Sequence, residues 1–437
     1  TMIHIESFSF MKYTHGHILP LVGGSVVGTT MALQTQPSWI ASWKNIFEAN
    51  DSYCLKYMDG VPYYDFDENP PMDYVDIVTS LPPCAGLSLA NQSNGKSEKS
   101  SNHRGCSAPS NVHMFNAALH SVTQIKPKVL MVENAPGLFT KMGEEFAERL
   151  NALANEHGYT MSLVKTSSIR HGVPQERTRS FFFLWKGNKV PILEPIRREY
   201  VPYHELIGGK KFAKTAHVNI DTDLPPSANP LWQFLRTKFE GYEQHEILEE
   251  LAGDRMTSTI RVINQNNWFD DAIEAIRDPK FNKFVRHAKM KYSTNSCVMD
   301  KTIKLAWDQT RSLMWQTLPY LLHPYEDRWL MVSEAFALMG FPDDFAEKAN
   351  MPTKDINIIC QNVPACTAGD WIRESVAALD GDRQWVEPEK KDDGTYRILR
   401  QNNIAKTNVM KPQWGTYGGT YSFGPITQFA TPSLVTA

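Results

Sequence analysis

Val75-Asp76-Ile77-Val78-Thr79-Ser80-Leu81-Pro82-Pro83-Cys84 is the stretch that decides how this chain is read. The apolar run at 75–78 reads as a buried strand. It leads straight into a stiff turn with a cysteine at its tip. Two prolines fix φ ahead of the thiol and remove backbone donors. The sulfur is then held beyond the carboxyl end of a strand, where open α/β sheets place their ligands. A free cysteine is more often a small buried hydrophobe, so this tripeptide alone does not make a nucleophile.

Three later segments change the balance. Val129-Leu130-Met131-Val132-Glu133-Asn134 is a second apolar strand, and it ends in a carboxylate. Gly172-Val173-Pro174-Gln175-Glu176-Arg177-Thr178-Arg179 is a tight turn carrying two arginines in alternation. In an extended segment, alternation sets Arg177 and Arg179 on one side. The apolar strand Ser180–Trp185 follows. A thiol, an acid and two fixed cations, each at the edge of a strand, make a reaction centre.

Pro82-Pro83-Cys84, then Glu133-Asn134, then Gln175-x-Arg177-x-Arg179 resembles, in order and separation, the DNA (cytosine-5)-methyltransferases. Trp329 to Ala335 with Met339-Gly340-Phe341-Pro342-Asp343-Asp344-Phe345 is similar to the family's late "T-x-x-E-x-x…G-F-P-x-x-F" segment. Gln361-Asn362-Val363-Pro364 is similar to its closing "G-N-x-V" segment. The resemblance covers roughly residues 14–185 and 311–380. It implies a doubly wound, Rossmann-like α/β domain that uses S-adenosylmethionine, with a smaller, irregular target-recognition domain.

Size and composition bound the rest. At about 100–200 residues per domain, the 437 residues make two or three domains. The expected limits are 1–187 for the first part of the catalytic and cofactor-binding domain and 188–310 for target recognition. Residues 311–380 are the expected return segment, and 381–437 a C-terminal extension. A net charge of −3 gives no global basic signal, but nucleic-acid binding needs only a local basic face. The six cysteines show no paired metal spacing, so no metal is expected, and unpaired thiols fit a reducing cytoplasm. No apolar run approaches the ~18 residues of a membrane span, and no signal-peptide pattern opens the sequence.

Residues 17–33 read as strand, glycine turn and helix, a turn that lets a ligand approach the backbone. The family pattern Phe-x-Gly-x-Gly-Gly set on Leu21, Gly23, Ser25 and Val26 keeps one glycine. Residues 38–43 read as the next strand. An acid after that second strand takes ribose hydroxyls in nucleotide-type folds, which points to Glu48, with Asp51 as the alternative. Either could equally be a helix-cap charge. Asp65, with Asp67 as its rival, stands where the family keeps an acid near the adenine amine. Residues 85–112 are polar and loop-like, and their place after Cys84 makes them look like the family's lid. There Ala85 replaces the usual Gln, and Ser88 keeps a small hydroxyl. Residues 186–310 break the strand–helix alternation, with many prolines and a basic run from Arg277 to Lys304. Residues 381–437 read as an added hairpin or a partly disordered tail.

The resemblance implies the following roles. Cys84 attacks carbon 6 of a flipped-out cytosine. Glu133 acts at ring N3, Arg179 holds O2, and Arg177 braces the site. Leu21, Gly23, Ser25, Glu48, Asp65, Pro83 and Asn362 hold the cofactor. Ser88, Asn134 and Gln175 meet the substrate. Double-stranded DNA is the expected partner of a monomeric enzyme. The alternatives are an RNA cytosine-5 methyltransferase and a catalytically silent DNA-binding relative.

Overall fold

A computed structural model describes residues 12–43, 53–88, 106, 108–219, 221–295, 301–351, 356–404 and 413–414. Glu48, Asp51, lid residues 89–105 and the tail from 415 onward lie outside the described residues. The chain divides into two compact units. One comprises residues 1–167, 178–197 and 363–437; the other comprises 168–177 and 198–362.

The first unit is built on a nine-stranded sheet. Its strands are β1 (His15–Ile18), β2 (Trp39–Ser42), β3 (Tyr63–Asp65), β4 (Ile77–Ser80), β5 (Val129–Asn134), β6 (Tyr159–Ser167), β7 (Thr178–Lys186), β8 (Leu399–Asn402) and β9 (Gln413–Trp414). Their spatial order is β9-β8-β6-β7-β5-β4-β1-β2-β3. β7 runs antiparallel to both its neighbours, β9 runs antiparallel to β8, and the other pairings are parallel. Helices α1 (Gly24–Leu33), α2 (Val112–His120), α3 (Glu144–Glu156) and α4 (Ala365–Leu379) cover the sheet.

Period-two alternation sorts the strands onto two cores. Leu130, Val132, Phe182 and Leu184 pack with Met114, Ala117, Phe146 and Leu150 of α2 and α3. Val129, Met131, Phe181, Phe183 and Trp185 pack with Ala368, Trp371 and Ile372 of α4. Strands buried on both faces read as continuous apolar runs, which is why Phe181–Trp185 has no polar position. The expected doubly wound α/β architecture is the one found. The sheet also continues beyond expectation, because Leu399–Asn402 pairs in parallel with Ser162–Lys165.

The order of strands reverses between β1 and β4. Chain growth from β1 runs outward to β2 and β3, and from β4 it runs the other way to β5. Ligands of open α/β sheets bind in the crevice at such a switch point. The two loops that flank it are Leu19–Gly23 after β1 and Leu81–Cys84 after β4. They are tied together where the Leu81 amide donates to the Leu19 carbonyl at 3.3 Å.

Below the switch point β1 carries two buried histidines. His15 Nε2 lies 2.9 Å from the Thr35 carbonyl, which can only accept. With both rings neutral, as their burial favours, His15 Nδ1 accepts from His17 Nε2 (2.8 Å), and His17 Nδ1 accepts from the Thr79 hydroxyl (2.5 Å). Burial pushes His15 down to about 4 and His17 well below the ordinary imidazole value. The unfolded chain binds these protons from about pH 6.5 downward and the folded chain does not, so stability falls as pH falls through that window. Two such groups predict a loss of up to ~2.7 kcal/mol per pH unit. Urea unfolding at pH 7.5, 6.5 and 5.5 measures it, and His17→Gln should flatten the slope.

α1 packs on α4 through glycines. A Cβ on Gly28 would sit 2.2 Å from the Ala365 carbonyl oxygen and 2.9 Å from the Gly369 nitrogen. Gly28→Ala must therefore separate two helices. A destabilisation of ~1–3 kcal/mol is expected from such overpacking, read as a lowered denaturation midpoint.

The second unit is more regular than its prolines suggested. It contains helices Tyr203–Gly208, Pro230–Lys238, Gln244–Ala252, Thr259–Gln265, Phe269–Ala275 and Pro279–Ser293. Two of the prolines stand at first helical positions, where a missing N–H costs nothing. Asn229 caps the helix opened by Pro230, and Asp278 caps the one opened by Pro279. Trp232, Leu235, Ile260, Ile263, Phe269, Val285 and Trp329 form its own core.

Candidate active site

β4, β5 and the start of β7 end at one edge of the sheet. Ser80 is level with Val132, Glu133 with Phe181, and Asn134 with Ser180. Cys84 and Glu133 each extend just past this line, and Arg179 precedes it on the antiparallel β7. Cys84 is half-buried, and its carbonyl accepts from the Leu87 amide at 3.1 Å. Asn134 Nδ2 reaches toward the carbonyls of Pro82 (3.4 Å) and Pro83 (3.5 Å), and its Oδ1 accepts from the Ala135 amide at 2.9 Å. It thereby links the cysteine loop to the strand that carries Glu133.

Glu133 is buried, and its Oε1 lies 3.0 Å from Arg179 Nε. Arg179 Nη1 also donates to the Thr178 carbonyl at 2.7 Å. A carboxylate beside a guanidinium at the edge of an apolar sheet is held in place by ion pairing, less screened there than in open water. Removing one partner of a buried pair leaves the other charge poorly compensated. Arg179→Met is expected to cost ~3 kcal/mol of stability by that account, and thermal unfolding would measure it.

The cofactor-side candidates gather at the carboxyl ends of β1, β2 and β3. Gly23 has φ of 110°, and a Cβ there would press on Cys54 Sγ at 3.0 Å, so this glycine is required. Leu19 (φ 55°) and Leu21 (φ 50°) also lie in the left-handed region. Such conformations cost of order 1–3 kcal/mol each and collect at ligand sites. Ser25 is buried at the start of α1, and Asp65 is buried at the end of β3, level with Ser42. Asp65 Oδ1 accepts from the Asp67 amide at 3.0 Å, so the two rival acids belong to one turn. Pro83 and Ser88 are half-buried. Glu48 lies outside the described residues.

Beside Ser25, which the sequence had singled out, stand residues at this edge that gave no sequence signal, Ser42 and Ser80 among them. The hydroxyls of Ser25, Ser42 and Ser80 are buried and make no hydrogen bond among the described residues. All three stand at the carboxyl edge of the sheet, two of them as last strand residues. Trp43 and Phe66 stack with ring centroids 4.2 Å apart just beyond β2 and β3. A lone serine or aromatic at a strand end reads as nothing in particular until the sheet is assembled.

Arg177, Gln175 and Asn362 belong to the second unit. Arg177 is fully buried. Nη2 donates to the carbonyls of Cys360 and Asn362 (both 2.7 Å), and Nη1 to the Leu313 carbonyl (3.1 Å) and the Ser312 hydroxyl (3.2 Å). The expectation that alternation aligns Arg177 with Arg179 needs correction. Gln175 N bonds the Val173 carbonyl and Arg177 N bonds the Gln175 carbonyl. These successive three-residue turns break the extended geometry. Gln175 is buried; its Nε2 donates to the Leu338 carbonyl at 2.9 Å and its Oε1 accepts from the Leu313 amide at 3.1 Å. Asn362 is buried. In the Trp329–Phe345 segment, Glu334 takes a two-pronged bond from Arg328 (2.8 and 2.9 Å), and Phe336, Phe341 and Phe345 pack together.

The strand order 3-2-1-4-5-7-6 with β7 reversed defines a Rossmann-like methyltransferase fold. The profile of the C-5 cytosine-specific DNA methylase family matches residues 24–368, and the chain belongs to that family. It is 26% identical over 274 residues to the Type II methyltransferase M1.HphI of Haemophilus parahaemolyticus, covering 62% of this chain and 60% of that protein. It is 23% identical over 301 residues to the Type II methyltransferase M.Bpa9945I of Bacillus paralicheniformis, covering 62% and 63%. The match thus spans less than two thirds of either relative. Among solved structures, a DNA modification methyltransferase encoded within an E. coli prophage superposes with a TM-score of 0.47 at 14% identity, covering 84% of this chain and 99% of that one. At that score the fold assignment rests on the strand order. Among the described residues, no group of three or more His, Cys, Asp or Glu is placed to hold a metal, and no helix is long and apolar enough to cross a membrane.

Proposed function

We propose that this protein methylates carbon 5 of cytosine in double-stranded DNA. The observation that carries the reading is the Glu133–Arg179 pair beside the Cys84 turn, on a methyltransferase sheet. Carbon 5 of cytosine is a poor nucleophile. Addition of the Cys84 thiolate at carbon 6 saturates the 5,6 bond and drives electron density toward carbon 5 and the N3 side of the ring. Covalent catalysis thus splits one hard step into two easier ones. Glu133, in its protonated form, donates a hydrogen bond to N3, and Arg179 holds O2. Fixed charges aimed at developing charge are a large catalytic term. Once carbon 5 carries the methyl group, its proton leaves to a solvent base, the double bond re-forms and the thiolate is expelled. Asn134 acts as a positioning residue for the Pro82–Cys84 turn.

The cofactor proposed is S-adenosylmethionine, which supplies an electrophilic methyl group. The buried, unbonded hydroxyls of Ser25, Ser42 and Ser80 and the obligate glycine turn fit a polar ligand at this edge. Leu21, Gly23, Ser25, Asp65 and Pro83 would hold it there, with Glu48 as a candidate for the ribose. Asn362 and Arg177 are proposed to serve together, since the guanidinium fixes the Asn362 carbonyl. Residues 188–310 are proposed as the target-recognition domain, with Lys280, Lys283 and Arg286 tracking phosphates. The target base is hidden in the duplex and must rotate out, at a cost of a few kcal/mol.

Tritium transfer from labelled cofactor to duplex DNA tests the reading. Wild type should label DNA in preference to transfer RNA, and Cys84→Ala should fall to background. Equal, background-level transfer by both proteins would sink it.

A further inference from the structure

The second unit holds a cavity of about 430 Å³ between its basic helix and the segment 219–230. This is within the about 300–1,000 Å³ range of small-ligand sites. Its walls are aromatic: Phe281 and Phe284 from the helix, with Tyr320 and Trp329 opposite. Two cations line it, Lys280 and Lys301.

The polar groups of this cavity are specific. Asn219 is 6% exposed. Its Oδ1 accepts from the amides of Asp221 (2.9 Å) and Thr222 (3.2 Å), which fixes the orientation of the amide. Its Nδ2 is buried and has no hydrogen-bond partner among the described residues. A buried donor without a partner is costly, and calls for an explanation. Beside it, Asp221 accepts from the Tyr320 hydroxyl and pairs with Lys301 at 3.2 Å. Tyr320 first, then Lys301, hold this carboxylate below its ordinary range, so it stays an acceptor. Lys280 makes no ion pair among the described residues and faces the same cavity.

An apolar slot with aromatic walls, one donor, one acceptor and a cation is the complement of a nucleobase carrying a phosphate. We propose that this cavity takes an unpaired nucleobase of the DNA. The ring lies among Phe281, Phe284 and Trp329, its edge meets Asn219 Nδ2 and the Asp221 carboxylate, and its phosphate meets Lys280. The inference rests on the DNA reading above but concerns a second base site, distinct from the Cys84 turn.

The test uses the full chain and a duplex whose one unpaired residue is 5-iodo-2′-deoxyuridine. Irradiation should crosslink it to the peptide containing Phe281 and Phe284, or to those containing Tyr320 or Trp329, mapped by mass spectrometry. Wild type should prefer the bulged to the fully paired duplex by about tenfold, one hydrogen bond's worth. Asn219→Asp, which keeps the capping oxygen and removes the donor, should bring that ratio near one, as should Lys280→Gln. Crosslinks confined to the Cys84 loop, or an unchanged ratio in both variants, would overturn the inference. Crosslinking by free 5-iodo-dUMP but not by the oligonucleotide would assign the cavity to a free nucleotide and equally overturn it. Methyl transfer is assayed alongside. Transfer without a crosslink removes this inference alone, whereas loss of both removes the reading on which it stands.

Discussion

The hydrogen bond from the Leu81 amide to the Leu19 carbonyl marks the point on which the first unit turns. It joins the loops after β1 and β4, the two neighbouring strands from which the sheet grows in opposite directions. Because growth reverses there, no helix can cover the gap, and a crevice is left at the carboxyl edge. Each group singled out in the first unit's site stands along that edge. The glycine turn, Ser25 and Ser42 lie on one side, and Ser80, the cysteine turn, the acid and Arg179 on the other. Topology fixes where chemistry can occur, and the residues at the strand ends decide which chemistry it is.

The interior of this unit is organised to hold that edge still. Phe181 to Trp185 are wholly buried, so β7 is clamped from both faces and its first residues project in a fixed direction. That fixed start lets Arg179 meet Glu133 across the β5–β7 pairing. The histidine relay on β1 ties three segments together, from the Thr35 carbonyl through two imidazoles to the Thr79 hydroxyl. It anchors the opposite end of the two strands that carry the ligand loops.

Much of the catalytic edge was legible because it is local. Apolar runs ending in Cys84 or Glu133 announce strand ends, and prolines and glycines announce turns. What escaped the sequence was non-local or locally ambiguous. Ser42 and Ser80 acquire meaning only when neighbouring strands place them on one edge. The many prolines of 186–310 read as a break in the strand–helix alternation, yet those at 230 and 279 open capped helices, because Asn229 and Asp278 precede them. Arg177 and Arg179 looked equivalent by alternation. Two tight turns run up to Arg177 and interrupt the strand there, and one guanidinium meets carbonyls while the other meets a carboxylate. Residues 399–402 carried no family signal, yet they form a sheet strand because β6 presents an open edge to them.

That last strand has a consequence for how the molecule comes into being. Its partner on β6 is made over two hundred residues earlier, and parallel pairing allows no hairpin shortcut. During synthesis the flank of β6 must wait with its amides and carbonyls unmatched while the whole second unit emerges. An unmatched flank of this kind invites pairing with foreign strands. The nascent chain is therefore most vulnerable to aggregation in the interval just before Leu399 leaves the ribosome.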